Sequence, residues 1–76
     1  MKIYLDELSL NITATIVSVN IFDKKLQKRI NELGFFNGEK IKVLNHSTLK
    51  KTLLVELMHT IFAIKKSIAH CISVIL

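Results

Sequence analysis

The chain has 76 residues, of which 50% are hydrophobic, and carries a formal net charge of +5. This length accommodates one domain over residues 1–76, and the single cysteine, Cys71, excludes an internal disulfide and indicates a reducing compartment. The most apolar stretch, 53–64, is too short to span a bilayer, which takes about 20 apolar residues. We therefore expect a cytoplasmic protein without a transmembrane segment. Its high hydrophobic content leaves room for a self-association surface.

The first predicted strand covers residues 12–19. Apolar and polar residues alternate in this segment, which is typical of a half-buried strand. The apolar phase changes near Ile16 and Val17. A β-bulge at this point would explain the change, because one extra residue shifts every following side chain to the other face.

A helix is predicted over residues 23–33. Asp23 can act as its N-cap, and Gly34 can supply the left-handed residue that ends many helices. The apolar residues recur at spacings of four, four and three and are expected to share one buried face: Phe22, Leu26, Ile30 and Leu33. The outer face is basic and contains two like-charged pairs four residues apart, each costing a few tenths of a kcal/mol: Lys24–Lys28 and Lys25–Arg29.

The remainder of the chain reads as strands at 40–46, 53–58, 61–65 and 71–76. The second and third of these form a predicted hairpin with His59 and Thr60 at the turn. Residues 66–70 leave space for one helical turn only. Five short strands favour a small barrel, since closure removes exposed edges. The predicted fold is therefore mostly β, with one helix inserted after the first strand and its Leu26/Ile30/Leu33 face over an open end.

Residues 29–43 carry the most specific pattern in the chain. They run from a helix end through the Leu33-Gly34 break and two phenylalanines to a second turn at Gly38, then to a basic strand. This pattern resembles the ferrous iron transport protein A (FeoA) family. The same domain occurs at the C-terminus of some iron-dependent transcriptional repressors. The resemblance extends along most of the chain and implies an SH3-like barrel over 1–76. Asn11 stands where the family often has glycine, and asparagine tolerates positive φ. The 47–52 loop departs from the family pattern.

No catalytic constellation is visible, and we expect no enzymatic activity. The candidate metal ligands are His46, His59, His70 and Cys71, and none of them has the paired spacing typical of zinc sites. No metal site or other cofactor is therefore evident from the residues. Only the resemblance points to a divalent metal, ferrous iron or zinc.

Phe35 and Phe36 lie between the two glycines. Two readings stay open at this point. Both side chains could be buried, because a small domain needs every large apolar group. Alternatively, one could be core and the other exposed as an anchor for a protein partner beside the basic helix.

The resemblance implies a cytosolic accessory protein of ferrous iron uptake that docks on the cytosolic part of the large transporter FeoB, which carries a GTP-binding domain. Docking would place it at the inner face of the membrane. The predicted partner-binding residues come from the helix, the glycine turn and the loop: Lys24, Lys28, Arg29, Phe35, Phe36, Lys50 and Lys51. The alternatives are a metal-responsive regulatory module and nucleic-acid binding. The latter is disfavoured because the strands lack interleaved exposed aromatics.

Overall fold

The computed structural model describes residues 1–47, 49 and 51–76. These residues form six strands: β1 (Lys2–Tyr4), β2 (Thr13–Val19), β3 (Lys40–Ser47), β4 (Thr52–Leu57), β5 (Thr60–Lys65) and β6 (Ile72–Ile75). Two helices interrupt them, α1 (Lys24–Glu32) and α2 (Lys66–Ala69), and a 3-10 turn covers Leu5–Glu7. The mostly β architecture and the single helical turn after β5 are confirmed.

The strands form one antiparallel sheet in the order β1-β6-β2-β3-β4-β5. The described residues thus contain one strand more than the five expected, because β1 pairs with β6 (Lys2 opposite Ile75). A three-residue strand is too short to show a period in the sequence. Because β1 precedes β2 in the chain, α1 follows the second strand and not, as had been expected, the first.

A single core lies on the inner face of this sheet. In β4 the side chains of Leu53, Val55 and Leu57 are buried, whereas Leu54 and Glu56, which alternate with them, point outward. This is the two-residue period of a half-buried strand. Strands β2, β3, β5 and β6 and helix α1 contribute further buried residues: Ala14, Ile16, Ile41, Val43, Ile64, Ile72, Val74 and Ile30. Four more come from the connecting segments and α2: Leu5, Leu8, Phe35 and Ala69.

The predicted irregularity in β2 is confirmed. The register of β2 against β6 shifts between Ile16 and Ser18, so Val17 is the extra residue of a bulge. Asn11, just before the strand, has a φ of 63°, which is the conformation that asparagine was expected to tolerate.

The β4–β5 hairpin turns one residue earlier than predicted. Leu57 pairs with Thr60, so Met58 and His59 form the turn, with φ values of 51° and 63°. Positive φ at both central residues defines the mirror-image turn that matches strand twist. The prediction of His59 and Thr60 missed this because neither Met nor His carries the usual Asn or Gly signal.

Helix α1 is capped as predicted, but its buried face is narrower. The Asp23 carboxylate accepts bonds from the backbone N–H of Lys25 and Leu26, at 3.0 and 3.3 Å. Ile30 is buried and Leu26 is half-buried, whereas Leu33 is 41% exposed and Phe22 is fully exposed. Both exposed residues flank the nine-residue helix, so the helical period does not carry them to the sheet.

The end of α1 depends on Gly34, which has a φ of +112° and a backbone pressed against the tip of the β4–β5 hairpin. A Cβ at this position would collide with the Met58 methyl group. At Gly38, with a φ of +92°, no atom lies within 4 Å of such a Cβ. A side chain at Gly38 would therefore cause backbone strain alone, whereas one at Gly34 would cause backbone strain and a collision with Met58.

We expect Gly34→Ala to destabilise the fold more than Gly38→Ala. Each should lose about 1–2 kcal/mol because alanine resists a left-handed backbone. Gly34→Ala should lose about 0.5 kcal/mol more, because the half-exposed Met58 side chain must change rotamer to make room for the new methyl group. Urea unfolding measures both. Adding Met58→Ala should remove the extra loss of stability in Gly34→Ala and should bring no such gain in Gly38→Ala. Equal losses for the two glycine variants would show that the hairpin contact contributes nothing.

Candidate interaction surfaces

Helix α1 is tied to the chain on both sides by two amide side chains. Gln27 Oε1 accepts a bond from the Ile21 N–H at 2.6 Å, and Gln27 Nε2 donates to the Val19 carbonyl at 2.9 Å. The same nitrogen lies 3.0 Å from Asn31 Oδ1, and Asn31 Nδ2 donates to the Phe35 carbonyl at 2.8 Å. This amide chain fixes which face of α1 points outward. Sequence reasoning missed it, because Gln and Asn on a helix are usually solvated.

We refer to the outward face of α1, together with Phe22 before it and Phe36 after it, as the helix surface. Its basic side chains are all exposed, and none forms an ion pair with a carboxylate of the described residues: Lys24, Lys25, Lys28 and Arg29. Fully exposed Phe22 lies at the start of the helix, and Phe36, 46% exposed, follows its end. A nine-residue helix is about 13 Å long. The helix surface is therefore a positive strip with an exposed aromatic at each end.

The structure decides between the two readings of the phenylalanine pair. Phe35 is 0% exposed and lies 5.4 Å, centroid to centroid, from the ring of Phe62. It is a core residue and does not reach a partner, in contrast to its place among the predicted docking residues. Phe36 is the exposed member. The backbone turns at this point, where the Phe36 N–H donates to the Gly34 carbonyl at 3.1 Å.

A second basic surface lies where β4 begins and β5 ends. Two adjoining depressions share Lys51, Thr52 and Lys66. We call their union the hairpin-base cleft, and its remaining lining residues are Asp6, His46, Ser47, Lys65, Ser67 and His70. The cleft combines residues from the Leu5–Glu7 turn, β3, β4, β5 and α2, which are far apart in the sequence.

The predicted docking residues do not form one surface. Gly34, at the end of α1, contacts Met58 at the tip of the β4–β5 hairpin, whereas Lys51 precedes β4 at its base. Six residues of β4 separate the two ends, or about 17 Å at 3.3 Å per residue. Lys24, Lys28, Arg29 and Phe36 thus belong to the helix surface and Lys51 to the cleft. Lys50 lies outside the described residues.

The candidate metal ligands do not converge. No group of three or more His, Cys, Asp or Glu side chains is present among the described residues. His59 lies in the hairpin turn, and His46 and His70 line the cleft at the other end. His70 Nδ1 lies 3.1 Å from the Asp6 carboxylate, and its ring contacts the Tyr4 ring at a tilt of 41°. Within the described part of the chain, these side chains therefore do not form one cluster.

Within the described part of the chain, neither helix has the length and apolar character needed to cross a bilayer. The exposed strip and the cleft are both surface features, and the largest buried side chains all belong to the core. The fold is thus that of a small SH3-like β domain with two basic surfaces, the helix surface and the hairpin-base cleft.

Comparison with known proteins identifies the family. A model described as the FeoA domain matches residues 3–76, so this chain belongs to the FeoA domain family. FeoA of Stenotrophomonas maltophilia, a zinc-complexed SH3 domain protein, is 31% identical with a TM-score of 0.81, over 95% of this chain and 88% of that one. FeoA of Chlorobium tepidum is 26% identical with a TM-score of 0.88, over 97% and 70%.

More distant structures share the fold alone. A manganese-dependent transcriptional repressor is 15% identical with a TM-score of 0.88, over 97% of this chain and 41% of the repressor. No curated protein sequence matches the chain. The SH3-like fold and the family that the 29–43 pattern indicated are therefore confirmed.

The amide chain can be tested by removing its first member. Gln27→Ala leaves the Ile21 N–H and the Val19 carbonyl without their partners, and we expect a loss of about 1–3 kcal/mol in urea unfolding. Lys28→Ala, one residue along on the exposed face, should change stability by less than about 0.5 kcal/mol. A Gln27→Ala loss as small as that of Lys28→Ala would show that α1 is held by apolar packing alone.

The phenylalanines make a second matched pair. Phe35→Ala removes a fully buried ring and should lose about 3–5 kcal/mol. Phe36→Ala removes a half-exposed one and should change stability by less than about 1 kcal/mol. Thermal unfolding of both variants at one protein concentration measures the difference. Comparable losses would mean that Phe36 is also part of the core and no anchor for a partner.

Proposed function

We propose that this protein is a cytoplasmic accessory protein of ferrous iron uptake that docks, through the helix surface, on the cytosolic part of a FeoB-type transporter. Membership of the FeoA domain family supports the iron-uptake role. A role as a bacterial ferrous iron transport activating factor has also been suggested for the relative from S. maltophilia. Ferrous iron enters this proposal as the cargo of the transporter, and no step is assigned to a metal held by this chain.

The observation that carries the docking proposal is the composition of the helix surface. Four exposed cations on one short helix repel one another, and none of them forms an ion pair with a carboxylate of the described residues. An acidic partner face would remove this repulsion and would speed association. Phe22 and Phe36 add apolar side chains at the two ends, and aromatic residues are enriched among the anchors of protein interfaces.

The docking proposal predicts a sharp dependence on the charge of α1. Lys24→Glu, Lys28→Glu and Arg29→Glu together should weaken binding to the purified cytosolic domain of the transporter by about tenfold or more. The loss should appear mainly in the association rate and should shrink at high salt, because screening removes long-range attraction. Surface-immobilised binding kinetics at two salt concentrations provide the measurement.

The control reverses the same number of charges at the opposite end of the hairpin. Lys51→Glu, Lys65→Glu and Lys66→Glu together produce the same net charge as the helix variant and should leave binding within about threefold of the parent protein. Equal weakening by the two triple variants would indicate attraction by net charge alone. Unchanged binding of the helix variant would remove the helix surface from the interface.

A further inference from the structure

The hairpin-base cleft is charged in a way that the proposed function does not use. It contains three lysines, Lys51, Lys65 and Lys66, and Asp6 is the one carboxylate among its described lining residues. That carboxylate is already 3.1 Å from His70. With neutral histidines, the cleft therefore carries a net charge of +2 that no described group neutralises.

The depression at the tip of the same hairpin shows the contrast. Its lining includes two lysines, Lys40 and Lys42, but also two glutamates, Glu39 and Glu56. Lys42 lies 4.0 Å from Glu56, and Lys40 donates to the Thr15 hydroxyl at 2.8 Å. Both lysines at that end thus contact an acid or a hydroxyl of the protein, whereas no ion pair joins a lysine of the cleft to a carboxylate of the described residues.

The backbone brings the three lysines of the cleft together. The Lys66 N–H donates to the Lys51 carbonyl at 2.8 Å, and Lys65 lies opposite Thr52 in the β4–β5 ladder. Lys51 itself has a φ of 53°, a conformation that is uncommon for lysine. Three like charges are therefore fixed on neighbouring backbone positions, where they repel one another in the absence of an anion.

We propose that the hairpin-base cleft binds a phosphate group of a small anionic ligand. A phosphate carries up to two negative charges, which match the net charge of the cleft, and lysine ammonium groups bind phosphate as point charges. The hydroxyls of Thr52 and Ser67 line the same cleft and can donate to further phosphate oxygens. A carboxylate ligand would neutralise only one of the two charges.

The ligand site and the docking surface are separate. The cleft lies at the base of the β4–β5 hairpin, and α1 ends at its tip, about 17 Å away along β4. A phosphate-bearing ligand in the cleft would leave the helix surface open. Binding of the ligand can therefore be tested independently of any transporter, and its failure would not affect the docking proposal.

The test is a titration of the ¹⁵N-labelled protein with pyrophosphate, followed by amide chemical shifts. We expect saturable shifts at residues 51, 52, 66, 67 and 70 and none along α1. Lys51→Ala with Lys66→Ala should weaken this binding by about tenfold or more, because two charge-assisted contacts are lost. Lys24→Ala with Lys28→Ala removes the same charge from the helix surface and should leave the affinity unchanged.

The outcomes distinguish specific binding from general attraction. Sodium chloride at the same ionic strength should give no saturable shifts, and a response equal to that of pyrophosphate would overturn the proposal. So would equal weakening by the two double variants. Inorganic phosphate binding at the same residues supports a free ligand. Vesicles containing phosphatidic acid test a lipid headgroup, and binding to them without any binding of pyrophosphate or phosphate would also overturn it.

Melting temperatures show whether each variant is folded, so a loss of binding can be distinguished from misfolding. Without ligand, Lys51→Ala with Lys66→Ala should melt at the same temperature as the parent or slightly higher, because repulsion within the cleft is removed. Pyrophosphate should raise the melting temperature of the parent and of the helix variant, but not that of the cleft variant. An equal pyrophosphate-dependent rise in all three proteins would contradict a site at the cleft.

Discussion

The burial of Phe35 at the junction between α1 and β3 constrains the rest of the molecule. Its ring is fully buried and contacts the ring of Phe62 in β5. This contact packs the segment between α1 and β3 against the edge strand β5. Gly34, with its positive φ, makes the turn that admits the ring, and Asn31 holds the Phe35 carbonyl. In a domain of 76 residues, one ring of this size is a large share of the core.

This junction also fixes what the surface presents. Phe35 is buried and Phe36 is exposed, and the amide chain from Gln27 to Asn31 holds the basic side of α1 toward solvent. The hairpin then separates the two ends of the molecule: its tip meets Gly34, and its base holds the cleft. The proposed protein partner and the proposed phosphate ligand would therefore bind at different ends of the domain.

The local signals in the sequence predicted the elements that depend on neighbouring residues. Asp23 caps α1 as predicted, and the phase change in β2 marks a bulge. The 29–43 pattern also indicated the family correctly. Predictions were wrong where the signal was short or absent. The three-residue β1 has no period to detect, and the Met58-His59 turn lacks the residues that usually announce positive φ.

The sequence by itself determined the fold class, the capped helix with its Gly34 end, and the basic character of the chain. Each of these depends on residue type or on spacings of a few positions. Only the tertiary structure decided that Phe35 is core while Phe36 is exposed, and that Lys51 is remote from α1. Only the tertiary structure brings together the lining residues of the hairpin-base cleft, which include residues as distant in the sequence as Asp6 and His70. Such relations depend on strand pairing between distant segments, which leaves no periodic trace in the chain.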